Sequence, residues 1–153
     1  MTYTPVVPTL SQTNRQDIND FLGAFLVAFM AAHPTVVRKQ WSELPASLTG
    51  EGPFVYLGDI TEDLLHDSGT RQTVFSGTLG YVDVLADPQE TNTRMNTFAD
   101  FMRDWFSANV HVNSSGRDEL HQTQTTEGSI GQGPIAYAAI LIHWKWTVLE
   151  GRI

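Results

Sequence analysis

The chain has 153 residues, 41% of them hydrophobic, with no cysteine and a formal charge of −8. That length suits one domain with a single core, and the apolar content favours folding over disorder. The absence of cysteine excludes disulfides, thiolate nucleophiles and cysteine metal sites, and the acidic balance argues against a dedicated nucleic-acid binder, which needs a basic footprint.

Residues 1–13 contain Pro5 and Pro8 and read as an extended N-terminal arm, so the folded domain is expected over 14–153. The arm lacks the basic-then-apolar pattern of a secretory signal, and no apolar run reaches transmembrane length. Asn14 is placed to cap a helix over 15–32. Ile18, Phe21, Leu22, Phe25 and Phe29 recur at spacings of three and four and define its apolar face. His33-Pro34 stops it.

A connection follows over 35–52, with a short turn near Trp41 to Leu44, and then a short strand from Phe54 to Leu57 ended by Gly58. Asp59, Glu62, Asp63 and Asp67 fall in a stretch with no Lys or Arg, expected as an acidic loop. Residues 71–86 are a strong strand signal. Phe75, Leu79 and Tyr81 share one parity, Val82 and Val84 the other, and Gly77 with Gly80 suggests a bulge or a bend.

Asp87-Pro88 opens a second helix, with Pro88 suited to its first position. Met95, Phe98, Phe101, Met102, Trp105 and Phe106 form the apolar stripe, which should fade near Asn109. Val110-His111-Val112 reads as a short strand. Residues 113–134 hold only Leu120 and Ile130 as strongly apolar residues and read as a long polar loop, part of it hairpin; such loops in compact domains usually have a function. The last strand, from Ile135 onward, puts Ile140, Ile142, Trp144, Trp146 and Val148 on a core face, with His143 and Lys145 on the other.

Helix, strands, helix and strands in this order predict an α+β fold: a mainly antiparallel sheet packed by two amphipathic helices. Trp144 and Trp146 are expected to meet Phe98, Met102 and Trp105.

Chemistry is harder to find. The five histidines form no HExxH or HxH arrangement. His66 with Asp63 and Asp67 is the best metal candidate, but an acidic solvated turn accounts for it. The run 128–133, GSIGQG, lacks the Walker lysine and precedes a strand instead of opening a helix. Ser68, Ser76 and Ser107 lack a nucleophile elbow. No catalytic, cofactor or metal residues are therefore assigned, and an enzyme is not expected.

Three stretches carry a resemblance: FVYLG at 54–58; FSGTLGYVDVL at 75–85 leading through DPQE at 87–90 into Met95; and IHWKWTVLEGR at 142–152. Together with the order of elements over 14–152, they resemble the tail terminator family of long-tailed, non-contractile bacteriophages, also described as minor tail or head-to-tail joining proteins. The resemblance implies a hexameric ring of identical subunits in the virion, assembled in the host cytoplasm. The ring would cap the tail tube protein, end tail polymerisation and meet the head–tail connector or head-completion protein. DNA would pass through its channel without sequence-specific contact. It further implies interface roles for Asp83 and Asp87, for His143, Lys145, Glu150 and Arg152 on the last strand, and for Arg117, Asp118 and Glu119 in the polar loop. A head-closure ring of the neck is the alternative reading, and a small metal-dependent enzyme a more distant one.

Overall fold

A computed structural model describes residues 10–41, 53–67, 70–84, 87–112, 117–132 and 135–152. The elements are α1 (Leu10–Ala32), β1 (Val37–Lys39), β2 (Phe54–Leu57), β3 (Thr61–Asp67), β4 (Thr70–Val84), α2 (Pro88–Ala108), β5 (Asp118–Gln132) and β6 (Ile135–Arg152). The six strands form one sheet in the order β1-β2-β4-β6-β5, with β3 also on β4. All pairings are antiparallel except β1 with β2. The fold is α+β, with the sheet packed against two helices.

The β4–β6 pair sets the faces. Its register runs unbroken from Gln72 opposite Leu149 to Val84 opposite Tyr137. Phe75, Leu79 and Tyr81 of β4 therefore share a face with Trp146, Ile142 and Ile140 of β6. These side chains are buried in one core with Ile18, Leu22, Phe25 and Phe29 of α1 and Phe98, Met102 and Phe106 of α2. Trp144 and Trp146 belong to the same core, as the strand periodicity predicts, with Trp105 packed at its margin.

Aromatic rings join the two helices to each other and to the sheet. Phe25 lies 5.0 Å from Trp105 and 5.2 Å from Phe106, and Phe29 lies 5.1 Å from Phe98. Phe98 stacks on Tyr81, and Phe75 on Trp146. Tilted and edge-to-face pairs of this kind each add about 0.5–1.5 kcal/mol beyond the area they bury.

Several sequence expectations are corrected. Helix α1 begins at Leu10, so Asn14 is buried within it instead of capping it. Nothing in Leu10-Ser11-Gln12-Thr13 opposes a helix once Pro8 is passed. The N-terminal part of the expected arm, residues 1–9, lies outside the described residues, as does most of the 35–52 connection. The described part of that connection includes β1, which pairs with β2.

The acidic stretch expected as a loop is strand β3, paired with β4 from Thr61 opposite Ser76 to Asp67 opposite Thr70. Since β6 holds one side of β4, β2 and β3 lie end to end along the other. The Gly58 amide bridges between them to the Thr78 carbonyl at 2.9 Å.

The polar segment expected as a long loop is mostly strand β5, paired with β6 along its length apart from a register shift between Gln122 and Gln124. An edge strand with one face open to solvent needs little apolar content, and among the described side chains of β5 Leu120 is the apolar one buried in the core. Val110-His111-Val112 is not a strand, although the Val110 carbonyl accepts from the Leu120 amide at 2.7 Å.

Gly77 and Gly80 mark neither bulge nor bend, because the β4–β6 register passes through both. They admit close neighbours. A Cβ at Gly80 would stand 2.0 Å from the buried Tyr56 ring, and one at Gly77 would stand 2.9 Å from Trp144 and 3.0 Å from the Asp59 carbonyl. Tyr56, with Val82, Tyr137 and Ala139, forms a second buried group on the sheet face away from the helices, flanked by Trp41. Gly80→Ala should destabilise the protein by about 1–3 kcal/mol, the usual cost of overpacking. In a Tyr56→Ala background the same change should cost little, so urea unfolding of the four-member cycle should show the double variant losing less than the sum of the two single losses.

Candidate functional site

The nine residues singled out from the sequence separate into three groups. Asp83 and Asp118 lie inside the protein, at 3% and 2% exposure. Asp87 caps α2: its carboxylate accepts from the amides of Gln89 at 3.1 Å and Glu90 at 3.3 Å. The rest belong to the β5–β6 side of the sheet.

Asp83 shares the core parity of Phe75, Leu79 and Tyr81, which brings its carboxylate under the start of α2. Its Oδ2 accepts from the Tyr81 hydroxyl at 2.8 Å and from Arg94 Nε, and its Oδ1 accepts from the Val84 amide at 2.8 Å. Thr91 completes the junction by donating to the Val84 carbonyl at 2.9 Å, while Arg94 reaches Thr91 Oγ1 at 3.3 Å. This group fastens the end of β4 to the first turns of α2. Burial, reinforced by the bond to Asp83, pushes the Tyr81 phenol well above the ordinary tyrosine range. The hydrogen bond to Asp83 likewise raises the Arg94 guanidinium.

Asp118 fastens the opposite end. Its Oδ2 accepts from Trp146 Nε1 at 2.7 Å and from the Val112 amide at 2.5 Å, tying the first residue of β5 to β6 and to the segment leaving α2. His111 Nδ1 donates to the Asp118 carbonyl at 2.6 Å. Both carboxylates are thus buried and held by partners within the subunit, whereas the resemblance implied interface roles for them. In each case the signal was the two-residue spacing from a core side chain, Tyr81 or Leu120. Arg94, the cation that partners Asp83, was not identified from the sequence because it lies on another element.

His143, Lys145 and Glu119 are brought together with His121 on the sheet face away from the helices. His121 stands opposite Lys145, which stands opposite Ser76, and Glu119 stands opposite Thr147. His143 is hydrogen-bonded to Thr126 at 3.0 Å, and His121 lies 3.2 Å from Glu119. Lys145 is exposed. Arg117 is exposed just before β5, and its carbonyl accepts from the Leu149 amide at 3.0 Å. Glu150 and Arg152 lie in the last turn-free residues of β6, with Arg152 in register with Thr70; their side chains lie outside the described residues.

Chemical convergence is weak elsewhere. A groove of about 560 Å³ between α1 and the β2–β3 junction is lined by Arg15, Asn19, Gln40, Trp41, Asp59 and Ile60. Arg15 there is engaged with the Ile60 carbonyl at 2.9 Å and with Glu62 at 3.5 Å. Among the described residues no group of three or more His, Asp or Glu side chains is placed to hold a metal ion. The His66 and Asp67 side chains of the candidate metal set are outside those residues. No helix among the described residues is long and apolar enough to cross a membrane.

Compared with known proteins, the chain matches no family model and no curated sequence.

Asp118→Ala should destabilise the protein by about 2–4 kcal/mol in urea unfolding, because two buried donors lose their acceptor. Hydrogen exchange should then quicken first at Val112 and along the start of β5. Tyr81 predicts an alkaline effect with a definite sign. A raised folded-state value keeps its stabilisation intact below about pH 10 and loses it as pH rises further, since the unfolded phenol ionises while the buried one resists. Above that pH, wild-type stability should fall faster than that of Tyr81→Phe, by up to about 1.4 kcal/mol per pH unit.

Proposed function

We propose that this chain is a structural virion protein of tail terminator type. Copies of it form a ring, hexameric by that resemblance, which caps the tail tube of a long-tailed phage, ends its polymerisation and joins it to the head connector. The observation that carries this reading is architectural. Helices cover one face of a six-stranded sheet, while the outer edges of β3 and β5, on opposite sides of that sheet, pair with no strand among the described residues. A subunit with two unlike edges is suited to a head-to-tail contact, and such contacts close into rings when the rotation permits.

The sequence stretches carrying the resemblance map onto β2, onto β4 with the start of α2, and onto β6. Those elements build the scaffold, so the resemblance lies in the load-carrying sheet and not in a reactive site. The surface acids would repel DNA passing through a central channel and discourage adhesion to it. Asp83 and Asp118 would contribute little to that field because their charges are engaged inside the subunit.

Mixing the purified protein separately with tail tubes and with portal–adaptor complexes, followed by electron microscopy, tests the assignment. A ring should appear at one end of the tubes, and tubes assembled without the protein should overrun their normal length. A ring found only on the portal–adaptor complex would transfer the role to head closure. Rings on neither particle would sink both readings.

A further inference from the structure

On the side of the sheet opposite β5 the outermost strand is β1, which stands beyond β2, while β3 lies directly on β4. Among the described residues β1 pairs with β2 alone, and β5 with β6 alone. Each of these two edge strands carries a charge without a partner. Arg38 of β1 lies against Gly23 of α1, its terminal nitrogens 3.5 and 3.7 Å from where a Cβ there would stand. Its Nε is buried with no acceptor, an arrangement that is costly while it lasts. Glu127 of β5 is exposed. Among the described residues, neither side chain makes a hydrogen bond or ion pair within the subunit.

Backbone directions at the two positions agree. Successive residues of a strand aim their amide and carbonyl groups to opposite sides. The Val37 amide bonds inward to the Pro53 carbonyl at 3.0 Å, so the N–H and C=O of Arg38 face the open edge. On β6 the Leu149 amide reaches the Arg117 carbonyl, which turns odd-numbered residues toward β5 and even-numbered ones toward β4. Glu127 stands opposite the even-numbered Ile140, so its N–H and C=O point away from β6. The amide of Leu120, opposite Trp146, points outward in the same way and meets the Val110 carbonyl.

We infer that β1 of one copy pairs antiparallel with β5 of the next, Arg38 standing directly opposite Glu127. This inference rests on the ring reading and names its subunit contact. One row crosses the sheet from Arg38 through Val55, Tyr81 and Ile140 to Glu127. Copies set side by side at one level therefore bring the two charges together, both on the helix side. Strand β1 runs with β2 and β6 and against β5, so the contact is antiparallel. Both outward-facing backbones then exchange N–H···O=C bonds at this pair.

Other registers lose these agreements. A slip of one residue puts the two side chains on opposite faces, and a slip of two sets Arg38 opposite Thr125 or Ser129. The flanking rows also fit. Val37, 51% exposed, falls opposite Gly128, where a Cβ would meet nothing within 4 Å, and Lys39 falls opposite Thr126. Of the other acids on β5, Asp118 is engaged internally and Glu119 lies beside His121. A short basic edge ordinarily keeps strands away; an acid at the matching position reverses that effect. Backbone bonds would supply the attachment and the charge pair its register.

The chain has no native cysteine, so placed thiols report this contact without background. Val37→Cys and Gly128→Cys leave both charges in place and set two Cβ atoms within disulfide range across a non-hydrogen-bonded pair. Mixed and oxidised on tail tubes, the two variants should give linked dimers. The double variant should give a ladder of multimers, and neither single variant should link to itself. Arg38→Glu should weaken ring formation about tenfold or more, and adding Glu127→Arg should restore it, since exchange rescues a direct pair. Urea unfolding of each charge variant shows whether its fold is kept, and the thiol variants test the contact independently of it. Rings that cap tubes without the link, and that tolerate Arg38→Glu, would overturn the pairing and leave the ring reading standing. A link without rescue by exchange would keep the strands together and overturn the Arg38–Glu127 pair. Linked chains that never close or cap a tube would support the pairing and overturn the ring. Absence of both links and rings, with and without tail tubes, would overturn both.

Discussion

The structure depends on the long antiparallel pairing of β4 with β6. Its register places Phe75, Leu79 and Tyr81 beside Trp146, Ile142 and Ile140 on one face, and both helices pack there. Strand side chains alternate with a period of two, so a slip of one residue would turn that whole set toward the opposite face. The close fit of Gly77 to Trp144 and of Gly80 to Tyr56 works against such a slip, because any larger residue brought to either position would meet an aromatic ring.

Two buried carboxylates then connect this ladder to the rest of the chain. Asp83 joins the end of β4 to α2 through Tyr81 and Arg94; Asp118 joins the start of β5 to Trp146 and to the segment after α2. A buried charge is costly unless it is supplied with donors: Asp83 accepts from three, and Asp118 accepts from two on its Oδ2. These acids act as fasteners at opposite ends of α2. The outer edges of β1, β3 and β5 pair with no strand among the described residues, and the ring proposed above would use them.

Residue types reveal some of these elements and conceal others for identifiable reasons. Asp87-Pro88 and the aromatic stripe through Phe106 mark α2, and the alternation from Ile140 to Val148 marks the core face of β6. Strand β5 escaped because most of its residues, such as Gln124 and Thr125, are polar and exposed, and a loop would use the same types. Strand β3 escaped because Leu64 and Leu65 are adjacent and break any alternation. The helix start was set too late because Asn14 is a good cap in isolation but is buried within α1. Asp83 was read as an interface residue although it shares the parity of Tyr81, because its partner Arg94 lies eleven residues away on another element.

By itself, the sequence determined the α+β class, the apolar faces of both helices and the core face of the last strand. Those features follow from local periodicity, which every residue in an element helps to set. Only the tertiary structure decided that the acidic and the polar stretches are strands. Their ladders are completed by β4 and β6, and backbone hydrogen bonding leaves little trace in side-chain type. It also decided the fate of Asp83 and Asp118, because whether a carboxylate is a surface charge or an internal fastener depends on donors brought from elsewhere in the chain.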